Sequence, residues 1–217
     1  MNEWEGEREV DRATMVRVAR EAHRALTEGD LPHLFLGGLA SQAVGRPRWT
    51  HDVDVIVRPE DAEHSLDLLA RARFRTQRTD VEWLFKALKD GVLVDLVFRS
   101  GGLGDHPPVT LDDEMLARAQ VAEVDGFRIP LVASEDLVVI KALVFKAHTP
   151  RHWHDSLAIL RRQDLDWDYL GWRARRHDPL RVASVLLYAE SNDIPIPWGL
   201  VRDLYEAGMP WSASPTT

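Results

Sequence analysis

The stretch Asp52-Val53-Asp54-Val55-Ile56-Val57 constrains the fold of this chain more than any other. Strict alternation of acid and aliphatic residue has the period of a β-strand, whose successive side chains point to opposite faces. One face of such a strand is apolar and must be covered by a core. The other face carries two carboxylates side by side, because residues i and i+2 share a face. Two like charges that close call for a cation or for a raised pKa. The strand is therefore a structural element and a candidate site at once.

Its surroundings extend both readings. Leu34-Phe35-Leu36 is a short apolar run entering Gly37-Gly38, which predicts a buried strand that ends in a tight turn, with a short helix over 39–44. Helices are predicted over 8–28, 60–72 and 111–119 from apolar spacing and from Pro59 at a helix start. Asp90-Gly91 and Asp125-Gly126 are hairpin signals. They predict strand pairs 81–88 with 92–98 and 120–124 with 127–132. From Ser134, placed as an N-cap, the pattern is helical throughout: about 135–147, 151–163, 167–176, 179–190 and 198–207. The expected architecture is α+β: a mixed sheet with flanking helices over residues 1–133, then a helical lobe over 134–217. The eight tryptophans, spread from Trp4 to Trp211, are expected mostly in the core.

Asp95 lies within Val94-Asp95-Leu96-Val97-Phe98, an otherwise apolar strand, where an acid needs a partner. The alternative is an edge-strand residue facing water. If its strand neighbours the first, Asp52, Asp54 and Asp95 converge. Hard oxygen donors suit Mg²⁺, and three carboxylates can hold two such ions for an in-line phosphoryl displacement. Glycine at 37 and 38 allows a tight turn and the close approach of a phosphate to the backbone. Together these features point to a metal-bound nucleoside triphosphate. A lone D-x-D also fits a metal-dependent glycosyltransferase, which would need neither the diglycine nor the third acid. Gly101-Gly102-Leu103-Gly104 lacks a following Lys-Ser/Thr and is not a Walker loop.

The segments L-G-G, G-R-P-R-W-T-H-D-V-D-V-I-V and V-D-L resemble the nucleotidyltransferase superfamily with the DNA polymerase β-like fold. They are similar above all to small bacterial members, the antibiotic nucleotidyltransferases and the AbiEii-type toxins. The later S-E-D-L-V-V-I-K-A-L and R-H-W-H-D-S-L-A-I-L look like the helical region of those proteins, so the resemblance spans roughly residues 33–163. It implies a Mg²⁺-dependent transfer of a nucleoside monophosphate from an NTP to an acceptor hydroxyl. Asp52, Asp54 and Asp95 would be the catalytic, metal-holding acids, with two Mg²⁺ expected. Gly37, Gly38, Ser41, Arg48, Lys141, Arg151 and Asp155 would bind the nucleotide. Many relatives carry Ser or Thr directly after the diglycine; here Leu39 stands there, and Ser41 is the first hydroxyl.

Charge narrows the partners. The chain has 35 acidic and 27 basic side chains, and residues 1–133 carry 24 acids against 17 bases. An acidic front half suits metal ions and cationic ligands and is a poor general surface for nucleic acid. A small cationic antibiotic as acceptor fits this acidic front half. A tRNA or protein acceptor would need one of two arginine runs, Arg71, Arg73, Arg75 and Arg78 or Arg173, Arg175, Arg176 and Arg181, as a docking surface. A non-catalytic nucleotide-binding or antitoxin-like module, or a toxin with an antitoxin partner, are the other expectations. The absence of Cys excludes disulfide frameworks, thiolate metal sites and thiol nucleophiles. No apolar run is long enough for a membrane span, and the acidic N-terminal stretch lacks a signal-peptide core. The expected compartment is the cytoplasm.

Overall fold

The structure is a computed structural model, and it describes residues 10–43, 52–102, 104–146, 151–162 and 164–209. By contacts the chain divides into two units. One comprises the chain to Arg99 and Thr110–Ala133; the other comprises Ser100–Val109 and the chain from Ser134.

The first unit is built on a mixed sheet. Its strands are β1 (His33–Leu36), β2 (Asp52–Val57), β3 (Arg75–Asp80), β4 (Leu84–Lys89), β5 (Val92–Val97), β6 (Gln120–Val124) and β7 (Phe127–Leu131), in the order β3-β4-β5-β2-β1-β7-β6. β2 runs antiparallel to β1 and parallel to β5, and β1 runs parallel to β7. The predicted alternation of β2 is realised: Val53 and Val55 are fully buried, while Asp52 and Asp54 on the opposite face are half-buried. On β1, Leu34, Phe35 and Leu36 are buried on both faces, as an interior strand requires.

Helix α1 (Arg12–Glu28) is capped by Asp11, whose carboxylate accepts the Thr14 N–H; residues 8 and 9 of the predicted helix lie outside the described residues. It packs against α3 (Ala62–Arg71) and the sheet, and buries a stripe that includes Met15, Val18, Ala22 and Leu26. Helix α2 (Gly37–Ala43) begins at the first glycine, two residues before the predicted start, and α4 (Asp113–Ala117) is capped by Asp112.

Strand β3 departs from expectation. Arg75-Thr76-Gln77-Arg78-Thr79-Asp80 contains no apolar residue, because it is an edge strand exposed along most of its length. The predicted strand 81–88 starts only at Leu84, after a turn in which the Trp83 indole N–H donates to Asp80.

The second unit is helical, with α5 (Ser134–Val144), α6 (Arg151–Leu160), α7 (Trp167–Arg176), α8 (Pro179–Glu190) and α9 (Trp198–Gly208). Helices α6, α7 and α8 pack around α5, which is buried over residues 134–143. Ser134 is the first residue of α5, not the flanking cap.

A helix buried on every side must satisfy its polar groups internally. Glu135 accepts the Asp166 N–H at 2.7 Å. The Tyr169 hydroxyl donates to Asp136, and Arg173 forms an ion pair with Asp136 at 2.8 Å and donates to the Tyr169 oxygen. Ser100 and Val109 exchange two backbone hydrogen bonds, and the loop between them is held by His106 donating to the His177 carbonyl.

The described tryptophans depart from expectation too: Trp83, Trp153, Trp167, Trp172 and Trp198 are all half-buried or exposed, while Trp4, Trp49 and Trp211 lie outside the described residues. Their rings work as partly wet packing surfaces. Trp153 lies between Phe145 and Tyr188, with ring centroids 4.5 and 4.9 Å away. No described helix is long and apolar enough to cross a membrane.

Candidate active site

The turn after β1 and the acidic face of β2 are made for each other. Strand register sets Leu36 opposite Asp54, so the chain leaves β1 beside that carboxylate. Gly37 has φ +63°, the left-handed region that favours glycine. A Cβ at Gly37 would lie 1.8 Å from Asp54 Oδ2. No other residue leaves room for the Asp54 carboxylate, so the glycine and the acid form one device. The Ser41 hydroxyl donates to the Gly37 carbonyl at 2.7 Å and is buried. It fastens the turn from below, one helical turn on, and faces inward.

Asp95 lies on an interior strand, not on an edge. Parallel pairing of β2 with β5 sets it directly opposite Asp54. Antiparallel pairing of β5 with β4 sets Lys86 opposite Asp95 on its other side. Cross-strand partners share a face, so Lys86, Asp95 and Asp54 form a row. Lys86 Nζ is 2.9 Å from Asp95 Oδ1, and the two side chains are 20% and 16% exposed. Burial pushes the Asp95 carboxyl above the usual carboxylate range; the Lys86 ammonium opposes that shift, and the Asp52 charge adds to it.

Three carboxylates on one sheet face are the hard oxygen donors that a divalent ion takes. They fit Mg²⁺ in chemistry. Among the described residues, however, no three Asp, Glu or His side chains are gathered closely enough to grip an ion as they stand. Lys86 engages the Asp95 carboxylate. Arg48, assigned to the nucleotide by resemblance, lies outside the described residues.

The remaining sequence candidates belong to the helical unit. Lys141 is 3% exposed, and its Nζ is 2.8 Å from Asp155 Oδ2, with Asp155 fully buried. Asp155 thus pairs across two helices with Lys141, while Arg151 is exposed at the start of α6. The i,i+4 ion pair that the spacing of Arg151 and Asp155 suggests gives way to the buried one. The arginine runs are also partly spent internally. Arg173 is 1% exposed against Asp136, Arg181 donates to the Leu143 and Phe145 carbonyls, and Arg78 is bound to Glu63. Arg71, Arg73, Arg75, Arg175 and Arg176 remain exposed.

Lys86 is the residue that sequence reasoning missed, and its signal was present. The Asp90-Gly91 turn has both residues at positive φ, 49° and 81°, and pairs Lys89 with Val92. Counting back three and forward three from that pair gives Lys86 opposite Asp95.

Residues 5–190 match the model of a family described as uncharacterised nucleotidyltransferases. No curated protein matches the chain in sequence. Among solved structures, it is similar to a protein of Thermotoga maritima described as a nucleotidyltransferase, at 23% identity and TM-score 0.49 over 67% of this chain and 96% of that one. It is also similar to the antibiotic-resistance factor ANT(2'')-Ia, at 16% identity and TM-score 0.47 over 90% and 91% of the two chains. A third is the lincosamide antibiotic adenylyltransferase LnuA, at 10% identity and TM-score 0.48 over 69% and 96%.

Proposed function

The chain belongs to a family of nucleotidyltransferases, and on that premise we propose that it moves a nucleoside monophosphate from an NTP to a hydroxyl of a small cationic acceptor. The observation that carries this reading is the fit of Gly37 to Asp54 with Asp95 in the next strand. A turn without side chains leaves its backbone open to a phosphate, and the carboxylates lie beside it. Divalent ions held by Asp52, Asp54 and Asp95 would neutralise charge on the triphosphate and on the departing pyrophosphate.

The chain's own groups do the positioning. The Gly37-Gly38 turn, fastened by Ser41, seats the phosphates against the start of α2. The acceptor oxygen attacks the α-phosphorus in line. A new O–Pα bond forms, the bond from Pα to the bridging oxygen of the β-phosphate breaks, and pyrophosphate leaves. The hydroxyl proton passes to an Asp95 carboxylate oxygen, which burial makes a better base. Most of the acceleration comes from alignment and charge neutralisation.

A cationic acceptor is favoured by the acidic balance of residues 1–133 and by the internal use of Arg173 and Arg181. The test is incubation with each NTP and three acceptor pools: aminoglycosides, lincosamides and tRNA. Mass spectrometry reads a gain of one nucleotide residue. Modification within an aminoglycoside or lincosamide pool supports the reading. Modification of tRNA alone, with a steep salt dependence, replaces it with a nucleic-acid acceptor.

A further inference from the structure

The Lys86–Asp95 pair is unusual for its place. A strand-borne ammonium sits 2.9 Å from the third carboxylate of a site whose other two acids lie on the neighbouring strand. The lysine is on the adjacent β4, and its position is fixed by a type of hairpin that allows no slip without turning every side chain to the other face. Both partners are mostly buried, so this is not a solvent-swept surface pair of small consequence. The three carboxylates are also not drawn together to a common ion.

We propose that Lys86 is a resident cation of the site: its ammonium fills the place beside Asp95 that a second divalent ion would take. The inference rests on the transferase reading above. In the resting protein a single divalent ion binds, on Asp52 and Asp54, and Asp95 is oriented by Lys86. A second ion enters only by displacing the ammonium. Lys86 is a positioning residue in this account. It fixes where the Asp95 carboxylate points and sets how many metal ions the site takes before nucleotide arrives.

The test counts ions directly. Mn²⁺ binding without nucleotide is followed by the electron paramagnetic resonance of free Mn²⁺, in wild type, Lys86→Met, Lys86→Arg and Asp54→Asn. Methionine keeps the apolar stem in the half-buried slot and removes the charge; arginine keeps the charge. Wild type should bind one Mn²⁺, and Asp54→Asn should bind none. Lys86→Met should bind two, or bind the first at least about tenfold more tightly because a positive neighbour is gone. Lys86→Arg should behave as wild type, which a merely structural lysine would not require. Equal stoichiometry and affinity in wild type and Lys86→Met overturns the proposal, as does a wild type that takes two ions unaided or the absence of Mn²⁺ binding from both. Failure of the transferase reading itself has a different signature: wild type would bind no NTP, while the metal count stays readable.

Discussion

His33 gives the stability of the first unit a pH dependence that can be worked out from its contacts. The ring sits at the start of β1, 7% exposed, with Nδ1 donating to the Leu31 carbonyl at 2.8 Å. That bond fixes the tautomer, leaving Nε2 as acceptor for the Nδ1–H of His23 at 2.7 Å. Burial disfavours the charge that a second proton on Nε2 would bring. The His33 pKa is accordingly pushed down to about 4, chiefly by burial, and that of His23 is lowered as well. The neutral ring is the folded form, so the unfolded chain binds the extra proton. Stability is complete above the unfolded value near 6.5 and is lost as the pH falls from there toward 4. From neutral pH to about pH 5 the loss from this one ring is about 2 kcal/mol, and about 3 kcal/mol once the folded ring itself titrates. Urea unfolding at several pH values across that range, for wild type and His33→Gln, measures it. Glutamine can donate to Leu31 and accept from His23 but does not titrate. The wild-type curve should fall more steeply than that of the variant by about 2 kcal/mol at about pH 5. Parallel curves would refute the reasoning.

Other consequences follow from the same geometry. Gly37→Ala places a methyl on Asp54 Oδ2 and holds alanine at φ +63°. It should cost about 1–2 kcal/mol in a thermal melt and remove Mg²⁺-dependent NTP binding in titration calorimetry. Lys141→Met removes the ammonium paired with a fully buried Asp155 and should destabilise by about 3–5 kcal/mol in urea unfolding, whereas Lys141→Met with Asp155→Leu should recover most of the loss.

What the sequence revealed depended on whether the information was local. The acidic alternation of Asp52 and Asp54 is a property of consecutive residues, and it placed both carboxylates on one face before any fold was known. The two Asp-Gly hairpins were legible for the same reason, and the first of them already contained the pairing of Lys86 with Asp95. β3 was not legible, because an edge strand made of Arg, Thr, Gln and Asp has no apolar face to announce it. The Lys141–Asp155 pair was not legible either. It depends on how α5 lies against α6, whereas the sequence spacing pointed to a bond within α6 from Arg151. Arg173 read as part of a basic surface because the acid that buries it, Asp136, is 37 positions away and on another helix.

The central claim is that the glycine turn and the carboxylates beside it hold a metal-bound nucleotide. Isothermal titration with each NTP, in Mg²⁺ and in EDTA, tests it most directly. Wild type should bind at least one NTP in Mg²⁺ and not in EDTA, and Asp54→Asn should lose that binding while keeping the wild-type melting profile. NTP binding of equal strength in Asp54→Asn, or none in wild type with Mg²⁺, would contradict it.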